Sequence, residues 1–554
     1  MDTAPAACAA LLVLATPLTA LQAGTTTLES ADSAGVQGDA ASLLPALSAD
    51  GRWLAFQSIA ANLVPGDANG EGDVFLRDLA TGTTVRVSEP TPGVDADGRS
   101  ENPRLSAGGT VLAFQSQATN LVPGDTNGAT DVFIADLAAG TLSRVSLDSA
   151  GAEANGDSDR PALSADGRFV SFRSAATNLV AGDTNGVRDV FVHDRLTGQT
   201  RRVSVSSAGL ESNAKSAATA LSPDGSLVAF DSLADNLVPG DGNAAWDVFV
   251  HELATGQTTR ISLNALGAEG SGGCFAPVFA DGGRLVVFEG EASGLVPGDN
   301  NLKSDVFCKD RETGAIELLS KSSQGVHGDN SSGAPDVTPD GRYVAFRSRA
   351  SNLVPGDGNG MQGWDVFVHD RADATTTRVS VSTTGGDPDL LSDNPAISAD
   401  GRLVAFDSHA TNLVAPDANG SVLDVFLTER ALDPWTPLPG GIAGVAGVPQ
   451  LTATGGLAPG ATTTFKLSAA VPGSAGAHVL GAANAGLPLF GGVLVPSPDL
   501  VVPLATDAAG KASFAMAWPL GLPGGLDVYV QSWVLDGAAV QGLAATDALA
   551  MQSF

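Results

Sequence analysis

One stretch of this chain is written seven times. Pro161 to Ser204 reads PALSADGRFVSFRSAATNLVAGDTNGVRDVFVHDRLTGQTRRVS, and copies of it run from about residue 24 to 430. Its turn Asp166-Gly167 recurs as Asp50-Gly51, Gly108-Gly109, Asp224-Gly225, Asp281-Gly282, Asp340-Gly341 and Asp400-Gly401. The steps between these turns are 58, 58, 58, 57, 59 and 60 residues. A period of that size requires an array of one supersecondary unit, each copy burying its apolar faces against its neighbours.

Within a copy, four short runs are separated by turn chemistry. PALS is a first strand, and ADG is a tight turn in which Gly supplies φ > 0. RFVSFRS, rich in β-branched and aromatic residues, is a second strand. A longer loop, AATNLVAGDTNGVR, leads to DVFVHD, and LTG joins that third strand to QTRRVS. Four antiparallel strands with no helical periodicity describe a propeller blade. The fold expected is all-β: a seven-bladed β-propeller.

LSPDGSLVAF at 221–230 and DVFVHE at 247–252 carry a resemblance. Their LSPDG turn, IAF-type strand and DIY-type strand are similar to those of TolB-like, or WD40-like (PD40), propellers. The resemblance covers 24–430 and implies the fold. It implies little about activity, because propellers host many functions. Many TolB-like propellers have six blades, whereas seven first hairpins stand here.

The ends of the array complement each other. The seventh copy stops after its third strand, DVFLTER at 424–430, and turns into ALDPWTPLPGG. At the other end, Ser33-Ala34-Gly35 precedes Leu47 by the same twelve residues that separate Ser149-Ala150-Gly151 from Leu163. Residues 25–31 are therefore expected to be the missing fourth strand, closing the ring and removing its chain-end edge. Glu29 falls where Val203 sits, which is an odd residue for a core position.

Before that strand, MDTAPAACAALLVLATPLTALQA (1–23) has an apolar run from Ala6 to Leu21. It is short for a membrane span and ends in small residues, so it reads as a secretory signal cleaved near Ala23. The expected location is secreted, periplasmic or cell-surface, with no membrane segment in the mature chain. Cys8 would leave with the signal. Cys274 and Cys308 remain, with a whole strand between them, about 10 Å apart at neighbouring strand spacing. A disulfide needs Cα atoms within about 7 Å, so two buried free thiols are expected.

Charge narrows the partners. With 29 basic and 61 acidic residues the net charge is −32. Nucleic acid is excluded, since phosphate backbones demand a basic footprint. An acidic surface suits cation binding, saline surroundings or plain solubility.

The loop between the second and third strands and the loop joining consecutive blades should emerge on one face, opposite the tight turns. That loop face is the candidate functional surface. The loop itself is nearly constant: NLVPGDANGEGD, NLVPGDTNGATD, NLVAGDTNGVRD, NLVPGDGNAAWD and GLVPGDNNLKSD in the first five copies. Oxygen donors at its first, third and seventh positions could wrap a hard cation such as Ca²⁺. The candidate metal ligands are Asp67, Asn69 and Asp73; Asp125, Asn127 and Asp131; Asp183, Asn185 and Asp189; Asp241, Asn243 and Asp247; Asp299, Asn301 and Asp305. The spacing departs from an EF-hand. Asx-turn chemistry alone also explains the pattern, and both readings stand at this point. The sixth and seventh copies are longer by two and one residues.

Other candidates are sparse. His193, His251 and His369 share one place in the third strand, occupied elsewhere by Arg77, Ala135, Lys309 and Thr428, which argues against metal ligation. Trp246 and Trp364 precede the third strand on the loop face, where an aromatic ring could stack on a sugar or pack beneath its loop. No nucleophile elbow, zincin motif, phosphate loop or dinucleotide fingerprint is present.

Residues 431–448 read as a Pro/Gly-rich linker, and the short apolar runs of 449–554 as a small β-sandwich. The function expected is a secreted, monomeric, non-enzymatic binding or scaffold protein with a protein or glycan ligand and calcium as its candidate cofactor. The alternative is a carbohydrate-active propeller enzyme, a lyase or glycosidase, with its site on the loop face.

Overall fold

The computed structural model describes residues 24–430 apart from 300 and 359–362, and, between 436 and 552, the strands of the C-terminal unit with a few residues beside them. The signal sequence expected at 1–23 lies outside the described residues. The chain divides into two units, 1–430 and 431–554.

The first unit is a ring of seven four-stranded antiparallel sheets. Blade three is typical, with strands Ser158–Leu163, Phe169–Ser174, Asp189–Asp194 and Gln199–Arg202 in that order from the inner edge outward. Blade seven takes three strands from the end of the repeat, Ser392–Ile397, Leu403–Ser408 and Asp424–Glu429, and its fourth from the chain start. There Thr26 pairs Thr428, Thr27 pairs Leu427 and Leu28 pairs Phe426. The propeller is closed as the repeat arithmetic required.

Each blade holds a stacked pair of phenylalanines from its second and third strands, such as Phe172 and Phe191 with centroids 6.0 Å apart. All of these rings are buried, and the apolar clusters mix residues of adjacent blades. A blade therefore cannot bury its faces alone; the ring is the cooperative unit.

The turn glycines explain the sequence period. A Cβ on Gly109 would lie 2.3 Å from Trp53, and one on Gly225 2.2 Å from Phe169, so each turn seats against the preceding blade. In blade five the residue in that seat is Gly283, whose Cβ would meet Leu227 at 2.6 Å, rather than Gly282. Counted by the docked glycines, the steps are 58 five times and then 60; the 57 and 59 came from taking the wrong glycine of the pair. Backbone bonds run around the same seam: Ala49 N–H to Ala107 O, Ala107 to Ala165, Ala165 to Pro223, Asp281 to Pro339, and Ala399 back to Ala49. The two missing links fall at Pro223 and Pro339, which have no N–H to give.

Inner strands are bulged. Residues 160 and 161 together face Phe172, and Arg160 sits at φ 51°. Leu44, Asn102, Ala276, Ala334 and Asn394 hold the same left-handed place, each before a proline. A proline at a bulge facing the channel forfeits no ladder bond.

In the C-terminal unit, a six-stranded, a three-stranded and a two-stranded sheet are formed. Leu467 of the three-stranded sheet and Val534 of the six-stranded one are buried in one cluster, so these two sheets pack as layers. Thr436–Leu438, within the stretch expected to be a linker, is a strand paired with 548–550. Among the described residues no helix is long and apolar enough to cross a membrane.

Candidate functional site

The constant loop brings its residues together, but around a cation the chain itself supplies. In blade three Arg202, on the fourth strand, places Nη1 3.3 Å from Asp183, 3.4 Å from Asp189 and 3.0 Å from Glu211 of the connector to blade four. Arg86 is similarly set among Asp67, Asp73 and Asp95, with Asp95 at 2.8 Å. Arg144 meets Asp125, Asp131 and Glu153 at 3.0–3.2 Å, and Arg260 meets Asp241, Asp247 and Glu269 at 2.8–3.5 Å. Arg378 joins Asp357, Asp365 and Asp387 in blade six. Each clamp ties a loop, a strand end and the connector to the next blade.

The asparagine is turned the wrong way for a metal. Asn185 Nδ2 donates to Asp189 at 2.8 Å and to Ser212 O at 3.0 Å, while its oxygen accepts the N–H of Val187 at 3.1 Å. Asn69 and Asn127 do the same with Asp73 and Asp131, and Asn301 with Asp305. Asn243 keeps the turn to Ala245 and donates to Gly270 O. The amide oxygen is thus spent on an Asx-turn, and a calcium ion would face an N–H instead of a ligand. The residues of these loops, as arranged, do not fit calcium.

Blades five and seven depart from the clamp in a coordinated way. Leu318 and Leu28 stand where the other five blades have arginine, and His327 and Gln37 where they have an acid. Gln37 Nε2 donates to Asp417 at 3.0 Å and Asp424 at 2.8 Å, replacing the guanidinium with an amide. Among the described residues of blade five no arginine reaches Asp299 or Asp305. Burial there pushes the Asp305 carboxyl up to about 7, against hydrogen bonds from Ser320 and Asn301. With arginine present the burial still wins at Asp67, raised to about 6, with Asp73 adding to the rise and Arg86 opposing it.

The third-strand histidines anchor connectors. His193, His251 and His369 each bond the threonine of the neighbouring strand at 2.9 Å, and those threonines donate to Leu147, Val205 and Lys321 carbonyls. Arg77 and Lys309 do the same work directly, donating to carbonyls of Ala31, Asp32 and Gly82, and of Leu263, Asn264 and Gly314. The position selects donors more than the sequence comparison suggested. Trp246 and Trp364 are covered: Lys215 Nζ lies 5.4 Å from one ring, and Arg347 and Arg349 each 4.5 Å from the other. Cys274 and Cys308 are buried and free, and burial pushes the Cys308 thiol up to about 12.

Sequence reasoning passed over the centre of the ring. All seven inner strands enclose a channel whose cavity measures about 640 Å³. Arg104, Arg160, Arg347, Glu289 and Asp336 line it. Just outside, side chains of second strands hold the left-handed bulge amides of the following blade. Gln57 accepts from Asn102 N–H at 3.0 Å, Gln115 from Arg160 at 2.9 Å, Asp231 from Ala276 at 3.0 Å, and Asp407 from Leu44 at 2.9 Å. The signal available in the sequence was charge within the otherwise apolar X-Pro runs of the first strands.

No family model matches the chain, and no curated protein matches it. Among solved structures it is similar to a TolB from Agrobacterium tumefaciens at 17% identity, over 50% of this chain and 80% of that one, with a TM-score of 0.33. A chain of a mitotic checkpoint complex is similar at 11% identity over 77% of this chain and 99% of its own, TM-score 0.39. A prolyl endopeptidase is similar at 13% identity over 87% of this chain and 60% of its own, TM-score 0.39. The propeller itself rests on the strand pairing and closure above.

Proposed function

We propose that this chain is a secreted, monomeric, non-enzymatic binding or scaffold protein whose ligand, a protein segment or a glycan, enters the central channel. The observation that carries this reading is the use made of the loop face. In five blades its repeated carboxylates are consumed in arginine clamps that stiffen the ring, while a roomy cavity with five charged side chains in its lining lies at the ring's axis. A cavity of this size falls in the range of small-ligand sites. Among the described residues the loops assemble no ligand set for calcium, and the clamps supply stiffness in its place. Secretion is supported by the apolar leader and by a closing strand that starts just after it.

A channel-blocking variant tests the reading. Ala276→Trp narrows the cavity at its wall. Screened on arrays of glycans and peptides, the wild-type chain should show binders that this variant loses while melting at the same temperature. Binders retained in full by the blocked variant would overturn it. The enzymatic alternative is favoured by one observation, the meeting of arginines and carboxylates in that cavity. Sugar release or unsaturated products from a bound glycan would establish it.

A further inference from the structure

The channel satisfies its own carboxylates and leaves two guanidinium groups over. Glu289 accepts from Ala334 N–H at 3.1 Å and Ser304 Oγ at 2.8 Å. Asp336 accepts from Ile397 N–H at 2.8 Å and Val337 N–H at 3.0 Å. Arg347 is engaged with Asp393 at 2.5 Å. Asp159, next to Arg160 in the chain, is held by Arg173 and Arg188. By contrast, the Arg160 guanidinium has no hydrogen bond or ion pair among the described residues, and Arg104 donates only to Pro103 O at 2.9 Å.

Both groups line the same channel, and solvent in it reaches both. Burial within the ring holds Arg104 below the ordinary guanidinium value, and the charge of Arg160 adds to this against the pull of Asp336. Asp231, which spends one oxygen on Ala276, is the other acid within electrostatic reach of Arg160. Two guanidinium groups lining one channel repel each other, and an anion shared between them relieves that. Their planar donor forks match carboxylate and phosphate oxygens. The surface outside carries the bulk of a −32 net charge, so an anion gains little by binding elsewhere.

We propose that the central channel binds a small ligand through an oxyanion group, a carboxylate or a phosphate, held jointly by Arg104 and Arg160. This deepens the channel reading above and depends on it. The test is calorimetric titration of the full chain with inorganic phosphate, succinate and neutral glucose. Arg104→Gln, Arg160→Gln and the double variant are compared with Arg168→Gln on the turn face. Phosphate or succinate should bind the wild type, about tenfold more weakly to each single channel variant and undetectably to the double, with Arg168→Gln unchanged. The stronger anion identifies the group. Should the double variant not fold, Arg160→Lys keeps the charge and loses the fork, and weakened binding is expected there too. No saturable heat from either anion overturns the proposal, as does undiminished binding by the double variant. A neutral ligand bound equally by wild type and double variant would remove the anion and leave the channel reading standing. Failure of Ala276→Trp to affect any binder would remove both.

Discussion

Glu29, just past the N-terminal strand, and Arg77 of blade one meet across the closure of the ring, Oε2 to Nε at 2.7 Å, with both side chains about nine-tenths buried. Elsewhere this pair of places holds a valine and a histidine, as at Val145 and His193. Removing one partner of a buried ion pair strands the other. Glu29→Val alone should lower unfolding free energy by about 3–5 kcal/mol. Glu29→Val with Arg77→His, which recreates the blade-three arrangement beside Thr84, should recover most of it. Urea melts of the three proteins decide the point; equal losses in single and double variants would mean the pair is not coupled.

That pair also shows what could be read in advance. Repeat spacing located the closing strand, though not its pairing register, because turn glycines and connector serines keep their intervals when surrounding residues change. What the spacing hid was coupling between distant positions. Glu29 looked anomalous only because its partner lies 48 residues away in the next blade. The clamp arginines were visible as Arg86, Arg144, Arg202, Arg260 and Arg378, yet each sits on the fourth strand, thirteen residues beyond the last acid of its loop. A motif read along one loop finds carboxylates and suggests a metal; the fold brings a guanidinium to them from another strand. The channel was harder still, since Arg104 and Arg160 come from different blades and share no motif.

The clamps make a prediction about charge. Arg202→Leu leaves Asp183, Asp189 and Glu211 without a cation and should destabilise by about 3–5 kcal/mol. Blade seven shows a working alternative, Leu28 with Gln37. Arg202→Leu combined with Glu211→Gln should therefore regain stability, read as a rise in melting temperature over the single variant. No rise would break the equivalence of the two arrangements.

Metal removal should do nothing to the ring. With arginine among the loop carboxylates of five blades and the oxygens of Asn69, Asn127, Asn185, Asn243 and Asn301 committed to turns, wild-type melting temperature should be the same in excess calcium and in chelator. Calorimetric unfolding under both conditions is the check, because a ligand that binds only the folded state raises stability with its concentration. A clear drop in chelator would put calcium back in the loops.

Acid should loosen the connectors through the third-strand histidines. Burial lowers the pKa of His193 and His251, and that of His369 to about 4, below an unfolded value of 6.5. The unfolded chain therefore takes up these protons first. The stability contributed is complete above pH 6.5 and is lost as pH falls from there toward 4. Imidazole resonances assigned through single His→Gln variants should show His369 still neutral at pH 5.5. A resonance titrating near 6.5 would contradict its buried bond to Thr376.

Blade five should respond with the opposite sign. Asp305 is raised by burial to about 7 from an ordinary value of 3.8, so the folded chain holds a proton that the unfolded chain has already released. Its contribution is complete below pH 3.8 and is lost as pH rises through 7. Leu318→Arg with His327→Glu rebuilds the Arg260 and Glu269 arrangement of blade four beside it. A guanidinium next to Asp305 favours its ionised form, so the gain in unfolding free energy from the double substitution should be larger at pH 8 than at pH 5. Urea melts at the two pH values give that difference directly. The same gain at both would show that Asp305 is already ionised in the folded protein.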